Sequence, residues 1–78
     1  MIFERGKILI FRSIHDAIRA EGVLTRSGFM PRVVPIPKDV SSDCGIALRL
    51  DADTFDGVMD TLWKAGLSVF RCVDEAEY

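Results

Sequence analysis

The chain has 78 residues, 49% of them apolar and 28% charged, and a formal net charge of −2 at pH 7. This length forms one domain with a modest core, which favours a carrier, a regulatory module or a subunit over a stand-alone enzyme. The ten Lys and Arg residues form no basic run, which argues against nucleic acid as the main partner. The apolar stretch Ile8 to Phe11 is too short for a signal peptide core or a membrane span, so we expect no membrane partner and a cytoplasmic location.

The sequence contains few cysteine and histidine residues. The two cysteines, Cys44 and Cys72, are in no CxxC pair, and in a reducing compartment such cysteines are more often free than bridged. His15 is the single histidine, which argues against a multi-ligand zinc site. We therefore predict no metal and no bound cofactor.

The first predicted elements are a strand and a helix. Lys7 to Phe11 is a short apolar run with β-forming residues. Ser13, with Asp16 three residues later, resembles a capping box and predicts the start of a helix. Gly28 predicts its end.

A hairpin of two strands is predicted next. Met30 to Ile36 is predicted as a strand, and its prolines Pro31 and Pro35 favour a sheet edge because proline cannot donate to a ladder. Residues 37–45 form a turn-rich loop, and the alternation from Ile46 to Leu50 predicts a half-buried strand.

A second helix and a fourth strand complete the pattern. Apolar residues from Phe55 to Leu62 recur at helical spacing, Asp53 precedes them, and Gly66 follows. Leu67 to Val73 is predicted as a strand, and residues 74–78 form an acidic tail. We thus predict one domain over residues 1–78, with an ordered core of about 7–73 after a short N-terminal lead.

The element order βαββαβ favours an α+β, ferredoxin-like fold, with two helices on one face of a four-stranded antiparallel sheet. The strand order is then 4-1-3-2, which places the proline-containing second strand at an edge. Apolar residues on the open face make a second copy of the chain a candidate partner. The residues expected to line one face are Lys7, Leu9, Phe11, Ala47 and Arg49.

This topology predicts that the turn Ser41 to Gly45, which contains Cys44, lies near Arg12 and His15 at the start of the first helix. A helix N-terminus and an arginine favour the thiolate, the reactive form of cysteine, so we expect a modestly lowered pKa for Cys44. Asp43 acts in the opposite direction.

Two neighbours have supporting roles in this hypothesis. Gly45 removes side-chain bulk beside the sulfur, and His15 is a candidate base. The simpler alternatives are that Cys44 is an inert turn residue, that His15 is an exposed first-turn residue and that Arg12 is a solvated strand-end charge. Cys72 is predicted to lie too far from Cys44 to form a disulfide and to be a packing residue.

Two stretches carry a family resemblance. Phe11 to Ala17 followed by Arg19 to Glu21 is the first, and Pro35 to Pro37 followed by Ser41 to Arg49 is the second. Together they resemble the selenium/sulfur carrier protein-like family of small bacterial proteins over residues 7–73.

The resemblance implies a carrier in which the cysteine before glycine holds sulfur or selenium as a persulfide or selenosulfide. We assign this role to Cys44 only, with Gly45 and Ser42 as supporting residues. The expected partners are a cysteine desulfurase or another donor, and an acceptor protein. The alternative is a non-catalytic regulatory or protein-interaction module that dimerises through the open sheet face, with Cys44 incidental.

Overall fold

The computed structural model describes residues 6–36 and 45–74, in which strands and helices follow one another in the predicted order. Four antiparallel strands and two α-helices form an α+β fold. The elements are β1 (Gly6–Ile10), α1 (Ile14–Arg26), β2 (Arg32–Pro35), β3 (Ile46–Asp51), a 3-10 turn (Ala52–Thr54), α2 (Phe55–Lys64) and β4 (Arg71–Asp74).

The sheet has the strand order β2-β3-β1-β4, which is 4-1-3-2 when counted from the β4 edge. β1 is central, because Ile10 pairs with Ala47 of β3 on one side and with Arg71 of β4 on the other. β2 is an edge strand, as its prolines predicted, and Pro35 is its last residue, opposite Ile46.

The helix ends follow the predicted capping residues. The hydroxyl of Ser13 accepts a hydrogen bond from the backbone N–H of Asp16 at 3.2 Å, which satisfies one donor of the first turn of α1. Gly28 and Gly66 follow the two helices with φ of +93° and +76°, a left-handed conformation that favours glycine. Both helices therefore end where the sequence predicts.

The two edge strands are shorter than predicted. β4 begins at Arg71 rather than Leu67, because the N–H of Leu67 bonds to the carbonyl of Leu62 and closes the end of α2. The buried Leu67 side chain belongs to the core beneath the helices, although its backbone lies outside the ladder. β2 begins at Arg32, after Pro31.

Both helices pack against the same face of the sheet. This face and the helices share one cluster of buried side chains, so the helices form a single layer over the sheet. The buried residues of this cluster are Leu9, Phe11, Ala17, Ala20, Leu24, Leu48, Leu50, Val58, Leu62 and Leu67.

The opposite face of the sheet has its own buried cluster, formed by Ile8, Ile10 and Ala47, each no more than 1% exposed. Partly buried residues packed against it include Val34 and Val73. The apolar centre of this face is therefore already withdrawn from solvent in the single chain. Homodimerisation through it stays a prediction.

The predicted composition of the open face was wrong. Leu9 and Phe11 belong to the helix-covered cluster, and Lys7 lies over the ring of Phe55 in α2. Leu9 pairs with Leu48 rather than with Ala47, so the expected set mixed residues from two faces. Within residues 6–36 and 45–74, neither helix is long and apolar enough to cross a membrane.

Candidate functional site

We call the end of the sheet where β1 finishes and β3 begins the upper end. The pairing of Ile10 with Ala47 places the end of β1 beside the start of β3. Gly45 precedes β3 and residues 12–15 follow β1, so both segments lie at the upper end.

Cys44 and Ser42 lie outside the described residues. The exposure of Cys44, its pKa and its contacts therefore stay predictions. Gly45 is the first described residue after Cys44, and it is exposed.

Gly45 differs from the two glycines that end the helices. Its φ is outside the positive range that Gly28 and Gly66 occupy. Among the residues that the structure describes, a Cβ atom built on Gly45 would meet nothing within 4 Å. Neither a left-handed backbone nor crowding by the described residues thus requires glycine here.

The first turn of α1 points its N-terminus toward the upper end. The N–H of Ala17 bonds to the carbonyl of Ser13 at 3.1 Å, which sets the first intrahelical bond and leaves the preceding N–H groups at the helix start. These groups carry partial positive charge, which Asp16 in the same turn offsets in part. The His15 side chain is exposed on this turn, and it has no hydrogen-bond or ion-pair partner within residues 6–36 and 45–74.

Arg12 is held at the upper end by an aromatic ring. Its guanidinium carbon lies 5.0 Å from the centre of the Phe70 ring, a cation–π arrangement. The N–H of Phe70 bonds to the carbonyl of Ile10 at 2.8 Å, which fixes the ring beside the end of β1. Arg12 is thus exposed, as predicted, but its guanidinium group packs on the Phe70 ring instead of being surrounded by solvent alone.

Phe70 is the residue of this site that the sequence analysis missed. The predicted fourth strand began at Leu67, so Phe70 was assigned to the interior of a strand. In the strand order 4-1-3-2, the segment before β4 lies beside the end of β1. This neighbourhood, which the predicted strand order already contained, could have indicated a contact between Arg12 and an aromatic residue of that segment.

Cys72 is exposed on the edge strand β4, so its predicted role as a packing residue was wrong. Partial burial raises the pKa of the Cys72 thiol. The charge of Lys7 lowers this pKa, and the charge of Asp74 raises it. Lys7 and Asp74 form an ion pair beside it. This environment disfavours the thiolate of Cys72.

The two cysteines belong to different parts of the sheet. Cys72 pairs with Leu9, and Gly45 lies beyond the paired residues at the upper end of β3. Strand spacing and rise separate the Cα atoms of Gly45 and Cys72 by about 14 Å, against about 7 Å for disulfide closure. The prediction that Cys44 and Cys72 do not bridge stays a prediction, and this separation supports it.

Comparison with known proteins identifies a family. A family model described as "Putative Se/S carrier protein-like" matches residues 7–73, from β1 into β4. No curated protein and no solved structure matches the chain. In the described part of the chain, no group of three His, Cys, Asp or Glu side chains is placed to hold a metal ion.

Proposed function

The chain belongs to the Se/S carrier protein-like family, and on this premise we propose that it carries sulfur or selenium on Cys44 as a persulfide or selenosulfide. The observation that carries the proposal is the family match, which extends over the Cys44–Gly45 motif. We take the fold to be the ferredoxin-like arrangement, with its βα and ββ connections at the upper end.

The chemistry required is thiol exchange. The Cys44 thiolate attacks the outer sulfur of a donor persulfide, the Sγ–S bond of Cys44 forms, and the donor S–S bond breaks. The donor cysteine leaves as a thiolate, and the proton of the donor persulfide stays on the transferred sulfur. In delivery an acceptor thiolate attacks the outer sulfur of Cys44 in the same way, so no separate oxidant or reductant enters.

The upper end supports this chemistry through its charge. Arg12 and the N-terminus of α1 provide positive potential on the side of the sheet where Gly45 lies. A thiolate or perthiolate at Cys44 would be favoured by that potential, while Asp43 would oppose it. Gly45 allows a partner close approach, and we assign Ser42 and His15 supporting roles.

The partners we propose are a cysteine desulfurase or another donor protein, and an acceptor protein. Exchange between exposed sulfur atoms needs no enclosed pocket, which suits a domain of this size. The protein then acts as a carrier in the cytoplasm rather than as a stand-alone enzyme.

The test uses glutathione persulfide as a small donor and compares Cys44→Ser with the matched variant Cys72→Ser. We expect wild type and Cys72→Ser to gain the mass of one sulfur atom, mapped to the peptide that contains Cys44. Cys44→Ser should gain none there. Equal loading of Cys44→Ser and wild type, or loading at Cys72 alone, would contradict the proposal.

A further inference from the structure

An exposed tryptophan and an apolar depression lie side by side on the helix-covered side of the domain. Trp63 is 81% exposed, and it borders a depression of about 240 Å³ between α2 and the segment that leads to β4. A tryptophan side chain stabilises proteins mainly through its burial, so an indole this exposed beside an apolar depression indicates a surface that another molecule covers. The residues that line the depression are Met59, Leu62, Trp63, Leu67, Ser68 and Val69.

The size and lining of the depression suit a side chain of a protein better than a small-molecule ligand. Pockets for small molecules usually measure about 300–1,000 Å³ and contain a few converging polar groups. This depression is smaller, and Ser68 is the one polar residue among those described that line it. We therefore expect its occupant to be an apolar or aromatic side chain.

This surface contains both halves of a contact, because a projecting aromatic side chain stands beside a depression that can receive one. In a dimer with a twofold axis each copy presents the same patch to the other, so the projection and the depression must lie within one patch. Trp63 supplies the projection, and the depression that it borders lies next to it. A second copy of the chain is therefore a partner whose shape fits this surface.

The charges beside Trp63 also suit a second copy. Asp60 lies one turn before Trp63 on α2 and Lys64 follows it, and their side chains form an ion pair at 2.9 Å. Like charges would face each other across a twofold axis and oppose association. This pair presents one charge of each sign, so it places no net charge beside the indole.

The open face of the sheet offers less to a second copy. Ile8, Ile10 and Ala47 at its centre are each no more than 1% exposed, so a partner there would bury little further surface from these residues. The Trp63 side chain is instead mostly in solvent, and its burial remains available to association. The contrast in exposure favours α2 as the contact surface.

We propose that the chain forms a symmetric dimer in which Trp63 of each copy inserts into the depression of the other. Burial of one tryptophan removes about 150–250 Å² from water, so two indoles and the surfaces that face them amount to about 800 Å². Stable interfaces bury about 1,200–2,000 Å², so this dimer should dissociate on dilution. The inference does not depend on the proposed function.

The experiment measures association at protein concentrations from about 5 µM to about 1 mM. Sedimentation velocity follows the dimer, and fluorescence follows the environment of Trp63, the single tryptophan of the chain. We expect wild type to pass from monomer to dimer in this range, and its emission to move to shorter wavelength over the same concentrations. Association should stop at the dimer, because a twofold contact uses the patch of both copies.

Two variants each remove one half of the contact. Trp63→Ala removes the projecting side chain, and Ser68→Glu places a charged side chain in the depression while Trp63 stays as the fluorescent probe. Each should raise the dissociation constant of the dimer by about tenfold or more. Both residues are exposed in the single chain, so at low concentration both variants should melt within about 4 °C of wild type.

The matched control variants carry the same kinds of change elsewhere. Met30→Ala truncates an apolar side chain that is 90% exposed and lines a different depression, and Ser27→Glu alters an exposed serine at the end of α1. Both should keep the dissociation constant within about twofold of the wild-type value.

The inference is overturned if wild type is a monomer at every concentration or forms assemblies larger than a dimer. It is also overturned if Trp63→Ala and Ser68→Glu associate like wild type, which would place the contact on another surface such as the open face of the sheet. Association without a change in the Trp63 emission, or equal weakening in the control variants, would contradict it as well.

Discussion

At the scale of single residues, the two thiols of the chain occupy contrasting positions. Cys72 lies on an edge strand beside the Lys7–Asp74 ion pair, and partial burial raises its pKa. Gly45, which follows Cys44 in the sequence, lies at the upper end, where the N-terminus of α1 and Arg12 carry positive charge. We therefore expect Cys44 to be reactive and Cys72 to be unreactive.

The contrast predicts different pH profiles of alkylation by iodoacetamide. In Cys44→Ser, the remaining Cys72 should react slowly near neutral pH and reach its half-maximal rate above the ordinary pKa of a thiol, since only the thiolate attacks. In Cys72→Ser, Cys44 should react faster at neutral pH, with a midpoint below that value.

The charges beside Cys72 supply the controls. Lys7→Met removes a cation that favours the thiolate, so the midpoint should rise further. Asp74→Asn removes an anion that disfavours it, so the midpoint should fall. Identical midpoints for the two cysteines would contradict the assignment of separate roles.

At the scale of elements, the start of α1 depends on one side chain. The Ser13 hydroxyl accepts the N–H of Asp16, and the same turn presents the helix N-terminus to the upper end. Loss of this cap would remove an N-terminal hydrogen bond from the helix beside the proposed site.

Ser13→Ala should lower the free energy of unfolding by about 1 kcal/mol and the melting temperature by roughly 4–8 °C for a domain of this size. Ser27→Ala is the matched control, because the hydrogen bonds at that end of α1 are made by the Ser27 backbone N–H. Calorimetry would refute the capping role if both variants melted at the same temperature.

The sequence predicted the elements better than their lengths. Ser13, Gly28 and Gly66 mark helix ends through local backbone chemistry, which the sequence shows directly. The start of β4 depends on the closure of α2, in which the N–H of Leu67 bonds to the carbonyl of Leu62; this is also local, but an apolar strand pattern does not register it, so the pattern extended β4 too far. The Arg12–Phe70 contact depends on which strand lies beside β1, which is set by long-range pairing, and the strand pattern therefore missed Phe70.

At the scale of the whole molecule, the sheet is apolar on both faces. The uninterrupted run from Ile8 to Phe11 puts Leu9 and Phe11 under the helices and Ile8 and Ile10 in the second cluster. A strand with one solvated face would alternate polar and apolar residues, so this run was a signal for two buried faces that the sequence analysis did not use.

Two-sided burial predicts that Ile10→Ala and Leu9→Ala each lower the free energy of unfolding by about 2–5 kcal/mol in urea titrations. Val33→Ala, on the edge strand β2 and 55% exposed, should change it by no more than about 0.5 kcal/mol. If Leu9→Ala alone were costly and Ile10→Ala behaved like Val33→Ala, the second cluster would not contribute to the core.

The register between β1 and β4 also has a consequence for biosynthesis. Lys7 pairs with Asp74, so β1 gains its second neighbour only after residue 74 has left the ribosome. Until then the nascent chain cannot complete the sheet on both sides of β1. Pairing between strands so far apart in sequence is slow, because the entropy of loop closure is lost before the stabilising contacts form. In a newly made chain, one edge of β1 should therefore stay unpaired until the final pairing forms.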